Sequence, residues 1–549
     1  MSSERSRRLR FATFIAVLGV SAGLADRASA AGPGLGSVSC EPFERVTLFD
    51  HTNGTPDDSP GNAFGHNVVA MVDGYLMLLF AQDSGGPAGG LLFYDVSDPR
   101  NPQLVRTIRD DDTADLRETH SLPVASAGGK KFLAVQTAHG VQLWDVTSAM
   151  TARAIAKLDL PGVDGGDYED VAWQLAWQWP YLFVSGGNLG IFVVDTADPA
   201  HPRVVTRVPT SQAGGFRVGP IFAVGDNLVI SNMDQEGQYG LLDISDARSP
   251  ALIATIGDLP KIYSMSVLGD RIYGAGRDGD FLIHSFGPDG IEERSRTRID
   301  GDGLYVSVQD GFVHYGLTDS YKKLDVHGDT ATELGEGFLG VEHGDHGQTT
   351  PLGNLVFIGN DHGSGSALLC HDGAPDRRGP EVVAMFPADG ATRVSRTSRI
   401  SVAFSDNIDL RSVTPATLTV REAGGRVVGG GYSYVFNNVS FGPGQRLKAN
   451  TTYEIVIAGG GVKDVSGNAI ADRIVSRFST GASVDAPPEP MPPPPAPMAD
   501  AAPDPDGVTS PAGCQAGAAG DAPAALVLVV GALVGGLRGR RARARRGGP

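Results

Sequence analysis

A repeated segment occupies residues 91–371 and constrains the fold more than any other feature. In each copy an apolar run ends at an aspartate, a turn follows, and a second apolar run begins. The clearest copies read LLFYDVSDPRNPQLV, IFVVDTADPAHPRVV and LLDISDARSPALI, and a plainer copy reads VQLWDVTSAM. The aspartates are spaced 50, 50 and 48 residues apart, at Asp95, Asp145, Asp195 and Asp243. Repeats of about 40–50 residues with several strands each are typical of propeller blades.

The residue types within a copy have a local physical reason. The aspartate ends a buried strand by accepting hydrogen bonds from backbone N–H groups of the turn. Gly90, Gly140 and Gly190 each precede it by five residues, where we expect a hairpin that needs a positive φ. Fainter copies place Ser285, Asp325 and His371 at the aspartate position. The sequence therefore predicts a seven-bladed propeller, with six or eight blades as open alternatives.

The ends of the repeat region indicate how a ring would close. The chain leaves the pattern soon after Cys370, so the seventh blade lacks an outer strand of its own. The early segment EPFERVTLFD (41–50) resembles the outer strand PQLVRTIRDD (102–111) and could supply it. Cys40 precedes that segment, so we expect a disulfide between Cys40 and Cys370 that locks the closure. The alternative is two unrelated buried thiols.

The N-terminus has the layout of a secretory signal peptide over residues 1–30. Four arginines precede an apolar stretch at 11–24, and Ala-Ser-Ala follows at 28–30. A membrane anchor is the alternative, but this stretch is short for a bilayer span. Export makes a disulfide chemically reasonable.

Composition limits the fold class and the partners. The chain of 549 residues contains 74 Gly and 36 Pro and shows little helical periodicity, which predicts an all-β protein. The formal net charge is −18, although both ends of the chain are rich in arginine. An acidic body repels phosphate backbones, which argues against a nucleic-acid partner.

A second domain is expected at residues 380–481. Short strands with period-two alternation, as in Ile400, Val402 and Phe404, predict a β-sandwich. The motifs PADGA, FS, NTTY, DVSGN and FSTG occur in that order. They resemble the bacterial Ig-like domain of S-layer and surface proteins, which implies a spacer or adhesion module rather than an enzyme. Asp464 and Asn468 of DVSGN could bind calcium or could stabilise a turn.

The repeats themselves, within a domain at residues 37–379, resemble the LVIVD-repeat proteins of bacterial and archaeal surfaces. They share the pattern of an apolar run, aspartate, and Asp-Pro-x-x-Pro. The resemblance implies a propeller that varied C-terminal anchors attach to the cell surface. It implies no particular biochemical activity.

The tail divides into a linker and an anchor. Residues 482–513 hold eleven prolines and predict a disordered linker. Residues 514–549 contain Cys514, an apolar stretch at 522–537 and the cluster RGRRARARR. This order resembles a myxobacterial C-terminal sorting signal, which implies a hydrophobic helix that contacts the membrane at least transiently and processing near Cys514. A stable single-span anchor is the alternative.

One group of residues could bind a metal. His66, His120 and His346 fall where the innermost strands of blades one, two and seven are expected to begin. Such blades are consecutive in a closed ring, so these side chains could meet at the channel mouth. Further candidates lie nearby in the sequence: His343, Asp345 and His362. Imidazoles beside a carboxylate suit zinc or another transition metal. The alternative is that they bind only backbone groups.

Acidic loops offer a different metal chemistry. DGGDYED (164–170) and RIDGDG (298–303) could chelate calcium, although they match no complete EF-hand pattern and could equally be solvated turns. A divalent metal, zinc or calcium, is thus the cofactor that the sequence allows.

No complete catalytic or phosphate-binding motif occurs in the chain. We therefore expect an exported, surface-anchored, non-catalytic protein whose propeller binds a protein or glycan partner. The alternative is an exported metal-dependent hydrolase or oxidoreductase that uses the histidines at the channel mouth. Fold alone does not decide, because propellers serve both functions.

Overall fold

The computed structural model describes residues 31–49, 68–81, 89–232, 236–318, 320–340, 346–360 and 366–482. Within these ranges the chain forms β-strands and short 3-10 turns and no α-helix, which confirms the all-β class. In the same ranges there is no helix long and apolar enough to cross a membrane. The chain divides into two compact units, residues 1–509 and residues 510–549. Every described residue belongs to the first unit. The predicted signal peptide, nearly all of the linker, and the sorting segment with Cys514 lie outside the described residues.

Strands are numbered along the chain, and those before residue 371 form seven groups of four within the described residues. Sheet 1 contains β2 (Val69–Val72), β3 (Tyr75–Phe80), β4 (Gly90–Asp95) and β5 (Gln103–Ile108). Sheet 2 contains β6 (Val124–Ala127), β7 (Lys130–Thr137), β8 (Gly140–Asp145) and β9 (Arg153–Asp159). Sheet 3 contains β10 (Leu175–Gln178), β11 (Tyr181–Ser185), β12 (Ile191–Asp195) and β13 (Arg203–Val208). Sheet 4 contains β14 (Val218–Val224), β15 (Asn227–Asn232), β16 (Gly237–Asp243) and β17 (Ala251–Leu259).

The remaining three groups complete the series. Sheet 5 contains β18 (Ile262–Leu268), β19 (Arg271–Gly276), β20 (Asp280–Gly287) and β21 (Gly290–Arg298). Sheet 6 contains β22 (Gly303–Gln309), β23 (Phe312–Leu317), β24 (Tyr321–Asp325) and β25 (Thr332–Gly337). Sheet 7 contains β26 (His346–Leu352), β27 (Leu355–Asn360), β28 (Ser366–Cys370) and β1 (Arg45–Phe49).

The repeated aspartates end the third strands as the sequence predicts. The Asp95 carboxylate accepts a hydrogen bond from the Ser97 N–H at 2.9 Å, and Asp195 accepts one from the Ala197 N–H at 3.0 Å. The same bond recurs at Asp145, Asp243 and Asp325. Each such turn sends the chain into the outer strand of its sheet.

The seven sheets pack side by side through apolar side chains. Separate buried clusters join sheets 2 and 3, 3 and 4, 4 and 5, 5 and 6, and 6 and 7. Two more clusters join sheet 1 to sheet 2 and sheet 7 to sheet 1. First strands of successive sheets, such as β14, β18, β22 and β26, contact one another and so face the centre. The arrangement is propeller-like.

Sheet 7 combines both ends of the repeat region. Strand β1 pairs antiparallel with β28, with Leu48 opposite Ala367, so the early segment supplies the outer strand. A disulfide joins Cys40 to Cys370, whose Cα atoms are 6.2 Å apart. The bond spans a sequence separation of 330 residues and therefore constrains the unfolded chain strongly.

The second domain is a sandwich of two four-stranded sheets. One contains β29 (Val382–Phe386), β31 (Ile400–Phe404), β34 (Asn438–Pro443) and β33 (Gly430–Val435), in that order. The other contains β30 (Ala391–Val394), β36 (Ile474–Thr480), β35 (Thr452–Ile457) and β32 (Leu418–Glu422). Buried residues of both sheets, such as Val402, Phe441 and Ile455, form a core that continues into the one between sheets 1 and 2.

The sandwich and sheet 2 share one continuous sheet of eight strands. Strand β33 pairs antiparallel with β6, placing Ser433 opposite Ala125 and Tyr434 opposite Val124. Because β6 is the first strand of sheet 2, the sandwich is joined to the centre of the propeller-like arrangement. The sequence did not predict this pairing.

Candidate functional site

The structure describes the side chain of one of the six predicted metal ligands, His120. The strand β26 begins at His346, but the His346 side chain lies outside the described residues. The others are also outside them: His66, His343, Asp345 and His362. The predicted meeting of these side chains therefore stays a prediction.

His120 lies just before β6 and is 4% exposed. Its Nδ1 is 3.1 Å from the carbonyl oxygen of Trp173, and the two rings stack with centroids 4.0 Å apart. Because a carbonyl oxygen only accepts, Nδ1 carries a proton and donates it in this hydrogen bond. The hydrogen bond thus fixes the orientation of the ring.

Aromatic side chains extend from His120 across the centre. The Tyr305 ring is 6.2 Å from the His120 ring and nearly parallel to it, and the Tyr263 ring meets Tyr305 edge-on at 5.2 Å. We call His120, Trp173, Tyr263 and Tyr305 the aromatic cluster. Its members come from the start of the first strand in sheets 2, 3, 5 and 6, and all are buried.

Two arginines lie against the aromatic cluster. The Arg117 guanidinium is 5.9 Å from the centre of the Trp173 ring. The Arg277 guanidinium is 5.3 Å from the centre of the Tyr263 ring and forms an ion pair of 2.7 Å with Asp302. Cations over aromatic faces are attracted by the ring quadrupole. Each guanidinium thus adds an attractive contact to a cluster whose rings are buried and pack on one another.

The sandwich lies at the opposite end of these strands. The Trp179 N–H, just after β10, donates to Ser433 Oγ at 3.2 Å, and the Gly225 N–H, just after β14, donates to Ser401 Oγ at 2.8 Å. Asn438 donates to the Val267 carbonyl near the end of β18 at 2.8 Å. One end of the first strands therefore carries the aromatic cluster, and the other is covered by the sandwich.

The covering extends around the ring. Asn437 donates to the carbonyl of Val308 in sheet 6 at 3.2 Å, and Asn407 donates to the carbonyl of Pro351 in sheet 7. At sheet 1 the Arg411 guanidinium lies so close to Gly74 that a Cβ there would be 2.1 Å from it. With the β6–β33 pairing at sheet 2, the sandwich contacts every one of the seven sheets. We call this set of contacts the docking collar.

Among the described residues the group with metal-ligand chemistry is acidic and contains no histidine. It consists of Asp376, Asp406 and Asp464, whose carboxylates lie within 4.8 Å of one another. Sequence reasoning considered Asp464 but missed the other two, because they lie far away in the chain. It also missed Trp173, Tyr263 and Tyr305, which are unremarkable apolar positions in a strand pattern.

Residues 376–480 match the model of the bacterial Ig-like domain family. An S-layer protein of Geobacillus stearothermophilus is 35% identical over 113 residues, which is 20% of this chain and 9% of that protein. The chain thus spans less than a tenth of the length of this relative.

Two solved structures are similar at low sequence identity. The computationally designed Ika8 protein has a TM-score of 0.39 and 12% identity, covering 57% of this chain and 97% of its own. The β-propeller domain of Cps50 (Swd1) from Myceliophteria thermophila has a TM-score of 0.40 and 13% identity, covering 55% of this chain and 96% of its own. By the match to the family model, residues 376–480 are a bacterial Ig-like domain, and the similarity of the chain to an S-layer protein is consistent with a protein of the cell surface.

Proposed function

We propose that this chain is an exported, non-catalytic protein of the cell surface. In this proposal the seven sheets are the blades of a closed propeller, and the Ig-like domain carries it. The propeller presents the face near the aromatic cluster to a protein or glycan partner. Cys514 and the segment after it anchor the chain, at least transiently, to the membrane.

The docking collar is the observation that carries the proposal. Because the Ig-like domain covers one end of the first strands in all seven sheets, that face is not available to a partner. The opposite face holds the aromatic cluster and the connection between β5 and β6, which contains Arg117 and His120. A spacer docked on the covered face would hold the opposite face outward.

Surface labelling and binding test the proposal together. On intact cells, a membrane-impermeant amine reagent should label the protein without lysis. The purified full chain should co-sediment with envelope fragments of the producing organism. Protein that is labelled only after lysis, or that does not co-sediment, would contradict the proposal.

Two matched charge reversals locate the binding face. Asp111 is exposed in the connection that leads to Arg117 and His120, and Asp472 is exposed on the Ig-like domain. A charge at the rim of an interface changes the association rate and its salt dependence. Asp111→Lys should therefore alter envelope binding, whereas Asp472→Lys should not. Equal effects of the two variants would place the interface elsewhere.

A further inference from the structure

Three carboxylates from separate segments meet where the Ig-like domain joins the propeller. Asp376 lies between β28 and β29, Asp406 follows β31, and Asp464 lies between β35 and β36. One oxygen from each lies within 4.8 Å of the others. Asp406 and Asp464 are 1% and 0% exposed, and Asp376 is half-buried.

The Asp406 carboxylate is buried without enough partners. Its Oδ1 accepts a hydrogen bond from the Asn407 N–H at 2.6 Å, and its Oδ2 has no hydrogen-bond partner. Within the described residues, no Lys or Arg forms an ion pair with any of the three carboxylates. A buried charge in that state is costly, so the arrangement is short of a positive charge.

The pKa values of two of these carboxyl groups agree with a shortage of positive charge. Burial, followed by repulsion from Asp464, Asp310 and Asp376, raises the pKa of Asp406 well above its usual range. Burial raises the pKa of Asp464 to about 7, although hydrogen bonds from Asn468 oppose the shift. A cation among the carboxylates would reverse the sign of both effects.

Rotation of one neighbouring side chain, Asn468, would supply a fourth oxygen ligand. The Asn468 side-chain amide donates to Asp464 Oδ2 at 3.1 Å and to Asp376 Oδ2 at 3.2 Å, so it bridges two of the carboxylates. Rotation of this amide by half a turn would bring its carbonyl oxygen to the same place. The donor set then consists of oxygen alone, which favours a hard divalent cation over zinc.

The burial of the ligands favours calcium among the hard cations, because Mg²⁺ dehydrates reluctantly and usually keeps several waters. Ca²⁺ binds oxygen ligands at about 2.3–2.6 Å, so opposite ligands of one ion are separated by about 4.6–5.2 Å. One oxygen from each carboxylate lies within 4.8 Å of the others, so the three can ligate one such ion with little movement. Mg²⁺ needs a tighter octahedron with ligands at about 2.0–2.1 Å.

We propose that Asp376, Asp406 and Asp464 bind one Ca²⁺ ion, which fastens the Ig-like domain and the connecting segment to sheets 6 and 7. The adjacent contacts define what would be fastened. The Ser405 carbonyl accepts from the Asp310 N–H at 2.7 Å, and Asn407 donates to the Pro351 carbonyl. Ser466 lies against Gly353, where a Cβ would be 2.1 Å from its Oγ. The ion thus acts on the docking collar, whichever partner the opposite face binds.

Calcium binding to the full chain tests the site. After treatment with EDTA and removal of the chelator, calorimetry with CaCl2 should show binding of one ion to this site, and CaCl2 should raise the melting temperature. Asp406→Asn keeps the shape but removes a charged ligand, so it should weaken Ca²⁺ binding by about tenfold or more. Asp289→Asn, in the exposed turn between β20 and β21, is the matched control and should leave the binding unchanged.

The effect of Asp406→Asn on the melting temperature should change sign between EDTA and CaCl2, and this makes the experiment decisive. In EDTA, Asp406→Asn should melt at a higher temperature than the wild type, because it removes the cost of either burying the charged carboxylate or protonating it. In CaCl2 the order should reverse. If wild-type protein shows no Ca²⁺ heat and no thermal shift, or if Asp406→Asn binds as tightly as the wild type, the site does not exist. Should Asp406→Asn not fold, the half-exposed Asp376→Asn replaces it with the same expected loss of binding.

Discussion

Gly442 of the Ig-like domain lies directly against the backbone of Trp179 in sheet 3. A Cβ at Gly442 would fall 1.6 Å from the carbonyl oxygen of Trp179. Backbone atoms on both sides of this contact are held in strands or hairpin turns, so they cannot yield as a flexible side chain can. The docking collar therefore depends on the absence of a side chain at residue 442.

Gly442→Ala should destabilise the protein by about 1–3 kcal/mol, the usual range for overpacking, with loosened docking of the Ig-like domain. Gly429→Ala is the matched control, since a Cβ there meets no atom within 4 Å. Urea unfolding and limited proteolysis of the connection between β28 and β29 measure the two effects. Identical unfolding curves for Gly442→Ala and Gly429→Ala would show that the contact between Gly442 and Trp179 is not tight.

We expect that lysine cannot replace Arg399 without a loss of stability. This fully buried side chain donates to Gln178 Oε1 at 3.3 Å, to the Thr397 carbonyl at 3.0 Å and to the Ile244 carbonyl. It therefore joins the Ig-like domain to sheets 3 and 4 through a planar fork that an ammonium group cannot reproduce.

Arg399→Lys should cost about 2–4 kcal/mol in unfolding free energy, because buried acceptors lose their donors. Arg396→Lys is the control, since the Arg396 side chain is half-buried and makes one hydrogen bond, to the Leu447 carbonyl. Chemical denaturation compares the pair. If Arg396→Lys lowers the unfolding free energy as much as Arg399→Lys does, the planar guanidinium of Arg399 has no special role.

The disulfide should stabilise the closed ring. Replacing both Cys40 and Cys370 by serine releases a loop closed across 330 residues, for which chain entropy gives about 6 kcal/mol as an upper value. The variant should melt at a lower temperature than the wild type, and reduction should lower the melting temperature of the wild type alone. A variant that melts like the oxidised wild type would mean that the pairing of β1 with β28 holds the ring without the bond.

Features that depend on neighbouring residues could be predicted from the sequence. The turn after Asp95 needs only a carboxylate and an N–H group two residues later, and both are visible in one copy of the repeat. The pairing of β1 with β28 follows from a missing outer strand in the repeat count. Gly140 and Gly190 have the expected positive φ.

Gly90 shows the limit of that local reasoning. Its φ is not positive, and the expectation was wrong. Gly90 is instead required for space, since a Cβ would be 2.6 Å from the Phe80 ring. This contact joins two strands of a sheet, and a pattern of turns does not contain it.

Neither the docking collar nor the aromatic cluster could be predicted from the sequence, for a related reason. Ser401 bonds the Gly225 N–H across a separation of 176 residues, and Asn438 bonds Val267 across 171. Serine and asparagine in a strand-and-turn pattern look like ordinary surface residues. Their partners are fixed only by how the Ig-like domain is placed on the ring.

Acid should weaken the contact between sheets 6 and 7 through two buried histidines. His314 and His371 meet edge-on with ring centroids 4.6 Å apart, and His314 Nδ1 is 2.8 Å from the Tyr321 hydroxyl. Burial, followed by repulsion from His371 and Lys323, lowers the pKa of His314 well below its usual range. Burial, followed by the charge of Lys323, lowers the pKa of His371 to about 4.

These shifts give the pH dependence a definite sign. Both imidazoles are neutral in the folded protein, whereas in the unfolded chain they take up protons below about pH 6.5. Their contribution to stability is therefore complete above about pH 6.5 and is lost as the pH falls toward about 4. Asp464 opposes this trend, because its raised pKa makes stability decrease as the pH rises toward about 7. Saturation with CaCl2 should suppress that opposing trend if calcium binds at the acidic group.

Urea unfolding of the wild type and His371→Gln, in CaCl2 between about pH 4 and 6.5, isolates the histidine contribution. The variant should be less stable than the wild type at neutral pH, since the bond of 2.7 Å between His371 Nε2 and the Gly353 carbonyl is altered. Its stability should nevertheless fall less steeply with acid, because one proton-uptake site of the unfolded chain is gone. Parallel profiles for His371→Gln and the wild type would mean that His371 is protonated in the folded protein over this range.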